Sequence, residues 1–163
     1  MKDSTNFTLK SRELGGQLNI QNYSNSQGFS GADQSPQLYW ENLPVEAKCL
    51  AVTMYDLDAP TGSGFWHWIV FNIPADLQEL LADAGNPSKS LLPEGAVQSN
   101  TDTGMPGYSG AAPTPGAAHR YIITVHALSK KLDLNENTTP AIVGGNINAN
   151  SVGKASILVY GQK

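Results

Sequence analysis

Apolar and polar positions alternate most cleanly in two stretches of this chain. Leu50, Val52 and Met54 share one face of an extended segment running from about Leu50 to Asp58, because strand side chains alternate with a period of two. Asp56 and Asp58 close the same face, provided no bulge intervenes. In the segment 119–128, His119 and Tyr121 share a face with Ile123, Val125 and Ala127, while Arg120, Ile122, Thr124, His126 and Leu128 take the other. Both faces are largely apolar, which predicts a strand covered on both sides. Shorter alternations predict strands at 7–11, 15–20, 36–40 and 154–160, with a further short one inside 93–102. Another strand begins close to His67 and is stopped by Ile73-Pro74-Ala75.

Helical periodicity is scarce. Asp76 is placed to cap a short helix over 77–82, with leucines at i, i+3 and i+4. Residues 138–143 read as a helix start with Pro140 in its first turn, a reading that Gly144-Gly145 weakens. Two stretches carry neither period. Residues 23–35 form a long polar loop, and loops of that length in compact domains are often functional. Residues 104–116 are dense in Gly and Pro and read as a shaped surface loop, not a linker, since too few apolar strands flank it to build two cores. The pattern as a whole is mostly β, and 163 residues suit one domain spanning 1–163.

Composition narrows the partners. The formal net charge is −4 and no Lys/Arg cluster occurs, which argues against nucleic acid and against a polybasic membrane contact. No apolar run reaches the roughly 18 residues of a membrane-spanning helix. The first residues lack the apolar core of a secretory signal, so the chain reads as cytoplasmic unless a leader has been removed. Cys49 is the only cysteine, excludes an intrachain disulfide and reads as a buried structural residue. Three Trp and six Tyr leave aromatic surface that a homodimer would cover.

The chemistry lies where the strands end. Two acids closing an apolar face are costly unless hydrogen-bonded or neutralised. His67, entering on the next strand, would meet them there. With His119 and Tyr121, these residues line a polar pit at the mouth of an apolar core. Several chemistries compete for it. Asp and His can ligate a metal, but no H-x-x-x-H or C-x-x-C spacing supports one, and neither metal nor cofactor is expected. A hydrolase would need a nucleophile, and Ser63 in Gly62-Ser63-Gly64 lacks the G-x-S-x-G elbow. An anion pocket would use imidazole, backbone and Tyr donors, with the acids holding the imidazoles in place. Such a pocket would bind better at lower pH, since carboxylates repel a phosphate. The same residues could also serve only to tie loops to the sheet.

Two blocks resemble a known family. Asp56-Leu57-Asp58-Ala59-Pro60 resembles the D-P-D-A-P signature of the phosphatidylethanolamine-binding proteins, and Thr61-Gly62-Ser63-Gly64-Phe65-Trp66-His67-Trp68 is similar to the T-G-S-G-W-W-H-W of their bacterial, Raf kinase inhibitor-like branch. The segment 110–121 is similar to the block G-x-P-x-P-x-G-x-x-H-R-Y, with His119-Arg120-Tyr121 intact, and the resemblance extends to Asn148-Ala149-Asn150. It implies a large antiparallel sheet packed on a smaller one, with short peripheral helices. It also implies a pocket for phosphate-like anions or phospholipid head groups, formed by Asp56, Asp58, His67, His119 and Tyr121, with Gly110 and Pro113 on its rim. The function expected is a small-anion-binding, regulatory module, a binder more than an enzyme. The alternatives are a His/Asp hydrolase or phosphate-handling enzyme, and an inhibitor that contacts a kinase or protease partner. Leu57 replaces the usual Pro between the acids, and Ala111-Ala112-Pro113-Thr114-Pro115 loosens the denser proline run and lacks its Cys.

Overall fold

The apolar faces named above become the inner faces of two antiparallel sheets. The computed structural model describes residues 6–163. In chain order the strands are β1 (Thr8–Lys10), β2 (Leu38–Glu41), β3 (Cys49–Asp56), β4 (Phe65–Pro74), β5 (Glu79–Leu80), β6 (Val97–Gln98), β7 (His119–Leu128) and, after the helix α1 (Pro140–Asn150), β8 (Ser151–Gly161). The smaller sheet runs β1-β2-β5 and the larger β6-β4-β3-β7-β8. Every paired neighbour is antiparallel.

β3 and β7 occupy the middle of the large sheet, with Asp56 opposite Tyr121 and Leu50 opposite Ala127. Leu50, Val52 and Met54 pack with Ile123, Val125, Leu38, Trp40 and Trp68 into the core between the sheets. On the outer face Cys49, Ala51, Ile69 and Phe71 meet Val143 and Ile147 of α1. Both faces of β7 are therefore covered at its core end, as its composition predicts. Cys49 is fully buried, and its thiol donates to the Lys130 carbonyl at 3.2 Å. α1 runs straight through Gly144-Gly145, and Gly144 lies against the Trp66 ring, where a bare backbone lets helix and sheet approach closely.

Two predicted elements differ. The leucine spacing at 77–82 does not make a helix: Leu80 pairs with Leu38 in β5 and is buried, while its neighbour Leu81 is half exposed. Adjacent leucines on opposite sides are the mark of extended chain. The carbonyls of Leu77 and Gln78 accept the Trp40 indole and backbone N–H groups. Residues 15–20 do not form a strand either. Gln17 makes a single parallel bridge with Tyr160, after which the chain turns into a 3-10 segment at Ile20–Asn22. No helix among the described residues is long and apolar enough to cross a membrane.

Candidate functional site

The large sheet ends, at the Asp56–Tyr121 rung, in a group of polar side chains (Phe65, the first residue of β4, is the other partner of Asp56). Asp56 is the last residue of β3 and still points inward, buried. One of its oxygens, Oδ2, accepts from His119 Nδ1 at 2.8 Å. The other, Oδ1, accepts the Asp58 amide at 2.8 Å, the short-range turn that Asp side chains favour. The His119 ring is thereby aimed: its remaining nitrogen, Nε2, lies 3.0 Å from the Thr114 hydroxyl.

His67 reaches the same place by a different device. Met54 pairs with Trp68 and Tyr55 with Trp66, so His67 is the extra residue of a β-bulge. Bulges re-aim side chains, often beside functional sites. The bulged strand is tied to the Gly/Pro loop twice: His67 Nδ1 donates to the Ser109 carbonyl at 2.9 Å, and the Ser109 amide donates to the His67 carbonyl at 2.8 Å. Burial lowers the His67 pKa below the ordinary imidazole value, against the opposing pull of the Ser109 carbonyl and the Asp56 and Asp102 carboxylates. The neutral ring therefore keeps its proton on Nδ1 and leaves Nε2 as a lone pair without a partner among the described residues.

Tyr121 forms the floor. Its ring stacks on His119 with centroids 6.4 Å apart and meets His67 edge-on at 5.5 Å. Among the described residues its buried hydroxyl has no hydrogen-bond partner. Burial, followed by the neighbouring Asp56 carboxylate, pushes the phenol pKa up, so it stays protonated.

These groups open onto a cavity of about 280 Å³ lined by Asp56, His67, His119, Gly110 and Thr114, with Phe65 on its apolar side. Among the described residues no lysine or arginine lines it. Of the residues expected in the pit, Asp56, His67, His119 and Gly110 line the cavity. Tyr121 lies beneath it and Pro113 is buried behind the rim. Asp58 is not among its lining residues. β3 ends at Asp56, so alternation no longer governs Asp58, and its carboxylate turns outward to Arg120. Oδ2 accepts from the Arg120 amide at 2.7 Å and from Nε at 3.0 Å, and Oδ1 accepts from a terminal guanidinium nitrogen at 2.8 Å. The guanidinium bond holds the Asp58 pKa down at about 2. Asp58 clamps the 57–64 loop to the start of β7.

Gly110 has a structural reason to be glycine. Its amide donates to Asp33 Oδ1 at 2.8 Å, so it is not a free donor for a ligand. A Cβ there would collide with Asp33 and with the backbone of Tyr23 and Ser24. Gly110→Ala is expected to lower stability by about 1–3 kcal/mol through overpacking, read as a fall in the urea midpoint. An unchanged midpoint would mean the 23–35 loop is free to move aside. Sequence reasoning missed Ser109, Thr114 and Asp33 as members of this site. Only Thr114 carried a signal, standing between Pro113 and Pro115 in a block already singled out.

No group of three or more His, Cys, Asp or Glu side chains among the described residues is arranged to hold a metal ion. The profile of the family "Phosphatidylethanolamine-binding protein" matches residues 8–161. The chain belongs to that family. Among its relatives, this phosphatidylethanolamine-binding protein family member is 46% identical to the Escherichia coli UPF0098 protein YbhB over 134 residues, covering 82% of this chain and 84% of the relative. It is 43% identical to the UPF0098 protein YbcL of the same organism over 155 residues, covering 93% of this chain and 85% of YbcL. The crystal structure of E. coli YbcL, described as a new member of the mammalian PEBP family, superposes with a TM-score of 0.93 at 41% identity, over 96% of this chain and 98% of that one. A PEBP homologue from Chlamydia trachomatis superposes at 0.79 with 26% identity, over 96% and 97% of the two chains.

Proposed function

We propose that this family member binds a small oxyanion of the phosphate class in the Asp56–His67–His119 cavity, and that it acts through binding, as a regulatory module, not through turnover of the anion. One observation carries the reading: among the described residues His67 Nε2 has no partner, while its Nδ1 is committed to Ser109. A buried ring nitrogen facing a cavity is a directed site for a ligand. The lack of a lysine or arginine in the lining sets the terms of binding. At neutral pH the cavity offers a carboxylate and a lone pair, both of which repel a dianion. A proton on Nε2 turns the lone pair into a donor and cancels the adjacent negative charge.

The sign of the pH dependence follows. The free ring titrates below the ordinary imidazole value, and a bound anion raises it. Above the free-ring pKa, binding of the phosphate monoanion takes up a proton, so its affinity rises by up to about tenfold for each pH unit removed, then levels off. Isothermal titration with inorganic phosphate at about pH 7 and about pH 5 measures this. Stronger binding at the lower pH, lost in His67→Gln, is the expected result, and absence of heat at both would sink it. Parallel titrations with phosphoethanolamine and with vesicles containing phosphatidylethanolamine separate free phosphate from a lipid head group. Asp58→Asn tests the geometry, because a residue clamped outward to Arg120 should leave phosphate affinity close to the parent value.

A further inference from the structure

Thr114 Oγ1, His119 Nε2, His119 Nδ1 and Asp56 Oδ2 form a continuous relay, with hydrogen bonds of 3.0 Å and 2.8 Å. The carboxylate is buried and its second oxygen is pinned by the Asp58 amide, so it cannot rotate away from the imidazole. The Nδ1 proton, held on Asp56, leaves the Nε2 lone pair facing a hydroxyl at the distance a general base needs. We propose that Thr114 is a nucleophile, His119 its general base and Asp56 the residue that positions the imidazole, and that together they take an acyl group from short, activated carboxylic esters. The assignment is independent of whether the cavity binds phosphate.

Three further observations favour it over a threonine that merely satisfies an imidazole. Thr114 lies between Pro113 and Pro115, whose rings fix their own φ and narrow the backbone of the residue before them, so the hydroxyl is held on a stiff segment. Thr114 is solvent-exposed and lines the cavity, so an ester can reach it. The amides of Ala112 and Thr114 make no hydrogen bond within the described residues, which leaves two donors in the same loop uncommitted for a developing oxyanion. Ala112 lines the same cavity.

The chemistry balances without a co-reactant other than water. His119 Nε2 accepts the hydroxyl proton as Thr114 Oγ1 bonds to the ester carbonyl carbon. The tetrahedral species collapses, the carbon–oxygen bond to the alcohol breaks, and the imidazolium returns its proton to the leaving alkoxide. O-acyl-threonine and the free alcohol result. Water, deprotonated by the same Nε2, then attacks the acyl carbonyl, releasing the carboxylic acid and restoring the hydroxyl.

The test is incubation of the full chain with p-nitrophenyl acetate. p-Nitrophenolate release is followed by absorbance, and the acetyl group is located by mass spectrometry of proteolytic peptides. The expected result is a burst of one p-nitrophenolate per chain with the acetyl group on Thr114. Thr114→Val and His119→Gln should each slow acylation by about 100-fold or more, while Thr114→Ser retains it. Thermal unfolding of each variant separates lost chemistry from lost fold, and Thr114, on the surface, tolerates both replacements. Acetylation confined to lysine side chains, or a Thr114→Val chain acylated at the parent rate, overturns the proposal.

Discussion

Asp56→Ala is expected to destabilise the fold by about 2–5 kcal/mol, because it takes the acceptor from two donors at once and each donor left unsatisfied costs about 1–3 kcal/mol. The carboxylate is 3% exposed and each oxygen has one partner. Its loss strands two donors, the His119 ring N–H and the Asp58 amide, in a space closed from below by Tyr121. Removing the acceptor from a buried donor exposes the full cost of desolvation, which is larger than the net worth of the bond. Asp56→Asn should cost less, because an amide oxygen still accepts one of the two bonds. Urea unfolding of the three chains at neutral pH reads the difference. A loss near the ~0–1 kcal/mol typical of surface pairs would show that Asp56 does not anchor the end of the sheet. Asp58 is the instructive contrast. Three hydrogen bonds join it to Arg120, more than Asp56 makes, but the pair stands in solvent and water replaces it readily.

The same contrast explains what can be read from the chain and what cannot. Alternation puts Leu50, Val52, Met54 and Asp56 on one face, and they keep it because the β-bulges place the extra residues in β4 and leave β3 regular. His119 and Tyr121 share a face for the same reason, since the β3–β7 ladder has no shift. Alternation says nothing beyond a strand's last rung, and so it misplaces Asp58 by continuing a period that has ended. The neighbourhood of His67 is legible from the strand that returns it beside β3, but the bulge that aims its ring is not, because a bulge cannot be deduced from the local pattern. The 77–82 segment fails for a related reason. Leucines at i, i+3 and i+4 fit a helix, but in a stretch this short the edge of the small sheet decides the outcome. The Gly/Pro segment is legible as a shaped loop. Its attachment through Ser109 to His67 and through Gly110 to Asp33 depends on residues far apart in sequence, which no local rule connects.

The two histidines of the site reach it from opposite sides of β3, one on β4 and one on β7. Asp56, on the strand between them, contacts one directly and influences the other through space. A ligand seated in the cavity would thus bridge three adjacent strands and add cross-strand contacts at the Asp56–Tyr121 end of the sheet. Ligand binding to the native state alone raises apparent stability by mass action. Phosphate should therefore raise the melting temperature of the parent chain, and more so at the lower pH where its affinity is greater.

The third histidine governs the response of the fold to acid. His126 sits on the outer face of β7, 8% exposed, with Nε2 at 3.3 Å from the Thr53 hydroxyl and Nδ1 buried without a partner among the described residues. Burial, and then the charge of Lys154 opposite it on β8, lowers its pKa to about 4. In the unfolded chain the ring takes a proton near 6.5. Below that value the unfolded state holds more protons than the folded one, so stability falls as pH drops and levels off once the pH passes about 4. Each tenfold weakening of proton binding in the folded state is worth about 1.4 kcal/mol, so this single ring accounts for about 3 kcal/mol of acid destabilisation. His67, lowered in the same direction, adds to the slope and remains when His126 is removed. Urea midpoints measured at several pH values between neutrality and about pH 4 should decline steeply in the parent and less steeply in His126→Leu, whose side chain cannot titrate. Parallel declines in the two chains would mean that His126 is protonated inside the fold, with Thr53 and the surrounding sheet solvating the imidazolium that the buried geometry otherwise forbids.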